Sequence, residues 1–294
     1  MELIIFAEEE GTTFNLGMLG SRAWVGTLTA ERLSELKNRD GLSYLQAGAA
    51  YGVDPYCLEE DRLGPRRYRG LIELHVEQGP AMWNAGVPVA VVTAINGRRQ
   101  YAVTLTGKPN HAGSTQMHDR FDALTGAAEC VLACEKLALE LVQKTTHTVL
   151  TVGRLTNEPN GLNVIPGRTS FFIDFRARND DVLAEGDLLL RTAIMEIAAR
   201  RGLELDFAQT ETLPAMPLDV EVCDRLRQAA GALGIALPDA ASGALHDAAI
   251  LAPYLPLAML FIASEGGISH NPAEYSRIED IAAATRILLQ AVTT

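Results

Sequence analysis

Apolar runs of strand length alternate with helical patterns along the chain, and this alternation limits the possible folds more than any other feature. The runs fall at 3–7, 71–76, 87–95, 101–106, 149–155, 169–175, 203–207 and 257–262. Helical patterns fall at 29–37, 42–51, 120–142, 182–200, 220–233, 244–251 and 278–292. Strands interleaved with helices predict an α/β or mixed α+β fold. The continuous run Leu3-Ile4-Ile5-Phe6-Ala7 reads as a buried strand of a parallel sheet. Asn96-Gly97-Arg98-Arg99 is a turn signal, and Thr212-Leu213-Pro214-Ala215-Met216-Pro217 is a proline-marked connector. Between them the order is β-α-β-β-α-β, that of a self-sufficient ferredoxin-like unit. The expected division is therefore 1–97 and 213–294 as one domain, interrupted by 98–212 as a second.

Charge and cysteine content narrow the partners. Lys and Arg number 25 against 37 Asp and Glu, leaving a net charge of −12. Duplex nucleic acid and anionic membranes are held by clustered cations, so neither is expected as a partner; a small uncharged or zwitterionic ligand suits the chain better. The four cysteines, Cys57, Cys130, Cys134 and Cys223, form no C-x-x-C pair. Cys130 and Cys134 share a helical face and read as small buried hydrophobes. Met1-Glu2-Leu3 is no basic lead-in to a signal peptide, which makes a reducing cytoplasm the expected location. The longest apolar stretch, 248–263, contains Pro253 and Pro256 and is too short and too broken to span a bilayer.

Several short motifs carry groups capable of chemistry. Glu8-Glu9-Glu10-Gly11 closes the first run. Such a triplet reads either as a solvated strand end or as carboxylates at the sheet end where open α/β folds bind ligands. In Glu73-Leu74-His75-Val76-Glu77-Gln78-Gly79-Pro80, strand periodicity puts Ile72, Leu74 and Val76 on one face and Glu73, His75 and Glu77 on the other. His75 is then a packed strand residue or a metal ligand oriented by flanking carboxylates. His111, in Pro109-Asn110-His111-Ala112-Gly113, is a turn residue or an exposed hydrogen-bond donor. The Pro166-Gly167 turn would bring Asn163 toward Arg176 across a hairpin, and Arg176 either binds a carboxylate ligand or pairs with Asp174 at the surface. Ser242-Gly243-Ala244-Leu245-His246-Asp247 opens a helix, and Gly266-Gly267-Ile268-Ser269-His270 follows a strand, where a glycine pair lets backbone approach a ligand.

In this order, these motifs resemble the hydantoinase/carbamoylase branch of the co-catalytic metallo-amidohydrolases, the group that includes the M20 peptidases. Leu-His-x-Glu-Gln-Gly-Pro at 74–80 is the most specific match, and the resemblance runs through essentially the whole chain. It implies a catalytic domain interrupted by a lid and dimerisation domain, a homodimer, and two divalent ions, zinc or manganese. It implies Glu10 and His270 as ligands of one ion and His75 as a ligand of the other, with Glu9 as general base. It further implies that His111 reaches a partner's site to polarise the scissile carbonyl, that Asn163 and Arg176 grip a substrate carboxylate, and that Gln78 and Gly243 line the pocket. The substrate class would be N-carbamoyl-L-amino acids or allantoate-like ureido acids.

The family pattern also has an upstream His and a bridging Asp that this sequence lacks, leaving three of its five ligands. The chain is accordingly expected to be an N-terminally truncated form with an incomplete metal site and little turnover. Thr13 and Leu245 stand where similar proteins often have Arg and Gly. Two other readings are a non-catalytic remnant that binds or dimerises, and a relative with dipeptidase or aminoacylase specificity.

Overall fold

Polar caps and apolar stripes set the helices of this chain. In the computed structural model, which describes residues 1–294 except 15, 53, 55–61, 65–67 and 146, Asp122, Asn179 and Asp219 each cap a helix by accepting backbone N–H groups. Such caps contribute about 1 kcal/mol each. Cys57 lies outside the described residues. The chain forms two compact units, Met1–Thr93 with Pro217–Thr294, and Ala94–Met216.

The first unit opens with three short helices, α1 (Leu19–Trp24), α2 (Ala30–Glu35) and α3 (Tyr44–Ala49). They enclose a small core of Phe14, Leu19, Leu28, Leu33 and Leu36. β1 (Leu71–Val76), α4 (Ala81–Ala85) and β2 (Val89–Ile95) follow.

The second unit runs β3 (Gly97–Thr106), β4 (Asn110–His111), α5 (Ala123–Leu141), β5 (Val149–Glu158), β6 (Val164–Ile165), β7 (Arg168–Ala177), α6 (Asp180–Arg200) and β8 (Glu204–Leu213). Its sheet has the order β5-β7-β3-β8 with every neighbour antiparallel. This is the strand order of a split β-α-β-β-α-β sandwich. α5 turns Ala123, Ala127, Cys130, Cys134, Leu137 and Leu141 inward, at spacings of three and four residues, against Phe171, Ile173 and Phe175 of β7. Burial lifts the Cys130 and Cys134 thiols to about 12, so both are inert small hydrophobes, as their spacing predicts.

The chain then returns to the first unit through β9 (Met216–Pro217), α7 (Val220–Ala232), β10 (Asp239–Ser242), α8 (Asp247–Leu251), β11 (Leu257–Ile262) and α9 (Ile278–Thr293). Its sheet has the order β1-β11-β2-β10, with β9 also paired to β2. β11 is buried throughout, and β1 runs parallel to it in register from Leu71↔Leu257 to Val76↔Ile262. Both strands therefore deliver their carboxyl ends to the same edge of the sheet. Among the described residues, no helix is long and apolar enough to cross a membrane.

One expected element is not a strand. Residues 3–7 pair with nothing in either sheet, and Leu3 and Ile5 are 90% and 89% exposed. Apolar residues form a strand only where a neighbour completes the hydrogen-bond ladder. Here the Ala7 carbonyl instead accepts the Gly20 N–H of α1 at 3.0 Å. A Cβ on Gly20 would lie 2.8 Å from the Ala7 nitrogen, so only glycine permits this crossing.

Candidate functional site

Strand periodicity places the chemistry on β1. Glu73 and His75 alternate with the apolar positions, and each finds a partner from the segment that starts α8. Glu73 accepts the Ala248 N–H at 2.6 Å, and the His75 ring packs edge-on against His246, with centroids 4.4 Å apart. Glu77, just past the strand, accepts the Met82 N–H at the start of α4. Glu9, His75 and His246 each offer one ligand atom, and these atoms all lie within 4.8 Å of one another. His246 is 1% exposed; its Nδ1 is buried without a hydrogen-bond partner and sits 3.8 Å from Glu9 Oε1.

A second group lies on the same unit. Glu10 Oε2 is 3.1 Å from His270 Nε2, and Gln78 Nε2 donates to Glu10 Oε1 at 2.9 Å. Gln78 and His270 both have φ of 56°, a left-handed conformation costly for residues with a Cβ and one that clusters at functional sites. Gly267 makes the approach of their two loops possible. Its φ is +70°, and a Cβ there would fall 2.5 Å from the Pro80 nitrogen. The structure thus joins Glu10 with His270, and groups His75 with Glu9 and His246. Sequence reasoning quoted His246 within its motif but gave it no role. Its one signal was a histidine between a glycine and a helix start, after a strand.

The field around these groups is strongly acidic. Burial lifts the Glu9 carboxyl to about 7, with Glu10 and Asp247 adding to the shift. Glu73 rises to about 8, chiefly through burial and further through Asp247 and Glu9, although the Ala248 N–H holds it down. Asp247 is also raised by burial, while burial and the neighbouring His75 push His246 down to about 3, so its imidazole is neutral. Several carboxylates driven toward protonation, the neutral His246 imidazole with its buried, unpartnered Nδ1, and the His75 ring beside it form a donor set that fits a divalent cation.

His111, Asn163 and Arg176 belong to the second unit. His111 is exposed on β4, and its Nδ1 accepts the Gly113 and Ser114 N–H groups at 3.1 and 3.2 Å. Backbone N–H groups only donate, so Nδ1 is the acceptor and Nε2 carries the ring proton. Asn163 lies beside this loop, its carbonyl accepting the Ala112 N–H at 2.9 Å. The expected meeting of Asn163 and Arg176 across a hairpin does not occur. β6 pairs with β4, whereas β7 pairs with β5 in a register that sets Arg176 opposite Val149. Arg176 is therefore at the far end of β7 from the Pro166-Gly167 turn, about 26 Å along an extended strand. There it binds Asp174 through Nε at 2.6 Å and Nη2 at 3.2 Å, and Gln100 donates to the same carboxylate. Gly243 is exposed in the loop after β10.

Comparison with known proteins agrees with this architecture. Residues 1–294 match peptidase family M20/M25/M40. The chain is 36% identical to the N-carbamoyl-L-amino-acid amidohydrolase of Paenarthrobacter aurescens over 291 residues, covering 98% of this chain and 69% of that protein. It is 33% identical to the allantoate amidohydrolase of Escherichia coli, over 98% of this chain and 69% of the relative. A solved hydantoinase/carbamoylase family amidase from Burkholderia multivorans superposes with a TM-score of 0.86 at 36% identity, over 98% of this chain and 68% of that one. The chain belongs to peptidase family M20/M25/M40, whose members are metal-dependent hydrolases.

Proposed function

We propose that this chain hydrolyses the carbamoyl or ureido C–N bond of N-carbamoyl-L-amino acids or allantoate-like ureido acids, assisted by divalent zinc or manganese. The observation that carries the reading is the closeness of the Glu9 carboxylate to His75 and His246, beside the Glu10–His270 pair, in a chain whose relatives are named for this chemistry. Glu10 and His270 would hold one ion and His75 the other. Bound there, a divalent cation polarises a carbonyl oxygen and makes hydroxide accessible near neutral pH.

Glu9 takes the proton of the attacking water and returns it to the departing nitrogen. Gln78 and Gly243 line the pocket. His111 offers its Nε2–H to the carbonyl oxygen, where losing one such donor typically costs about 2.7–4 kcal/mol of transition-state stabilisation. The products from a carbamoyl substrate are the free amino acid, ammonia and carbon dioxide.

The second unit serves in this reading as lid and dimerisation surface, with His111 acting on the site of a partner subunit. Exposed Leu132, Leu139, Leu188 and Met195 on α5 and α6 offer apolar area for it.

Ammonia release from a panel of N-carbamoyl-L-amino acids and allantoate, set beside amine release from N-acyl amino acids and dipeptides, tests the proposal with manganese added. Preference for ureido substrates is expected. Preference for N-acyl or dipeptide substrates would assign the chain to the aminoacylase or dipeptidase branch and overturn it.

A further inference from the structure

A half-open cleft of about 230 Å³ lies in the first unit, where α4 and the turn after it meet the start of α9. Met82, Trp83, Val87 and Pro88 give it apolar walls, and Arg277 and Asp280 give it two opposite charges. Its frame is well tied. α4 ends at Gly86, whose φ of +66° lets the chain turn so that the Val87 N–H returns to the Met82 carbonyl at 2.9 Å. The Ala263 N–H donates to the Pro88 carbonyl at 3.1 Å, and the Ser276 hydroxyl donates to the Ala263 carbonyl at 2.7 Å, joining the approach to α9 to the end of β11.

The two charges do not satisfy each other. The Arg277 guanidinium stacks over the Trp83 ring, 4.0 Å from its centroid, and its nitrogens come within 4.0 Å of no carboxylate oxygen among the described residues. Asp280 is 7% exposed, and its carboxylate accepts no hydrogen bond from a described residue. Burial pushes its carboxyl up, and the nearby Arg277 offsets only part of the rise. An acid in the first turn of a helix can complement the dipole from an exposed position, as Glu279 does. A buried acid without a donor is costly unless a cation comes to lie beside it.

A guanidinium open to a carboxylate and a carboxylate open to an ammonium, held apart over apolar walls, match the two ends of one zwitterion. The volume is below the roughly 300–1,000 Å³ of pockets for drug-sized ligands, so a single amino acid fits and a peptide does not.

We infer that this cleft binds a free α-amino acid with an apolar side chain, its carboxylate on Arg277 and its ammonium on Asp280. None of the lining residues belongs to the groups around Glu9, His75 and His270. Met82 nevertheless follows closely on the loop that carries Gln78, and its N–H is held by Glu77. A role as a sensor of product rests on the hydrolase reading above, in which an amino acid is released, whereas the binding itself does not.

Calorimetric titration of the whole chain with L-leucine, after EDTA treatment to silence metal-dependent sites, tests the inference. One leucine per chain is expected, with a dissociation constant of about 1 mM or tighter. N-acetyl-L-leucine, which lacks the ammonium, and L-leucinamide, which lacks the carboxylate, should each bind about tenfold more weakly or worse. Asp280→Asn and Arg277→Gln should each weaken leucine to a similar degree, while Glu279→Gln, an exposed charge on the same turn, stays within about twofold. Absence of saturable leucine binding, equal binding of leucine and N-acetyl-L-leucine, or undiminished affinity in Asp280→Asn would overturn the inference. The analogue series on the wild type decides the matter even if a variant does not fold. Leucine binding in a chain that turns over no ureido substrate sinks the substrate reading alone; ureido turnover in a chain that binds no leucine sinks this inference alone.

Discussion

Ser242 shows how much of this site depends on a side chain that touches no substrate. Its hydroxyl lies 2.6 Å from His246 Nε2 and accepts the Ala244 N–H at 3.1 Å. Replacing it with alanine leaves the buried His246 Nε2 without this partner, and an unsatisfied buried polar group costs about 1–3 kcal/mol. Ser242→Ala should therefore lower the urea midpoint by an amount in that range with the m-value unchanged; an unaltered midpoint would show that the hydrogen bond contributes nothing. At this scale the sequence was legible in part. The alternation along β1 put Glu73 and His75 on one face because strand periodicity is rigid. The grouping of His75 with His246 was not legible, since it depends on β10 and α8 returning beside β1 after more than a hundred residues.

Elements were more readable than residues where both flanks carried signals. β1 and β11 run over the expected 71–76 and 257–262, since each is a dense apolar run between polar or proline-bearing turns. Residues 3–7 have the same composition but no ladder partner, and composition does not report a missing neighbour. The Asn163–Arg176 expectation failed for a related reason: turn chemistry announced a hairpin but not that β6 would pair with β4 instead.

Within the second sheet, burial would raise the Asp174 carboxyl, but hydrogen bonds from Arg176 and Gln100 outweigh it and hold the group below the usual carboxylate range. A lowered folded value contributes stability that is fully present above the unfolded value, about 3.9. That contribution is lost as pH falls through the folded one. Asp174→Asn should thus narrow the difference in melting temperature between pH 7 and pH 3. An identical pH dependence in variant and wild type would contradict the assignment.

Across the whole molecule, cation binding and folding are linked, because an ion that binds only the folded chain stabilises it. At a hundredfold excess over its dissociation constant the gain is about 2.7 kcal/mol. Zinc should raise the first unfolding transition of the EDTA-treated protein, and chelator should reverse the rise. A melting curve indifferent to both would deny a metal centre in the native state. Size-exclusion chromatography with light scattering should give the mass of a homodimer, and a monomer at all concentrations would remove His111 from the chemistry.

The central claim is that Glu9 works beside a bound divalent ion to cleave a ureido C–N bond. Its most direct test is ammonia release from an N-carbamoyl-L-amino acid, measured for metal-stripped and manganese-reloaded protein, wild type and Glu9→Gln. We predict release that appears only on reloading and falls by about 10²-fold or more in Glu9→Gln, even at saturating metal. Release that persists without metal, or that survives intact in Glu9→Gln, would contradict the account.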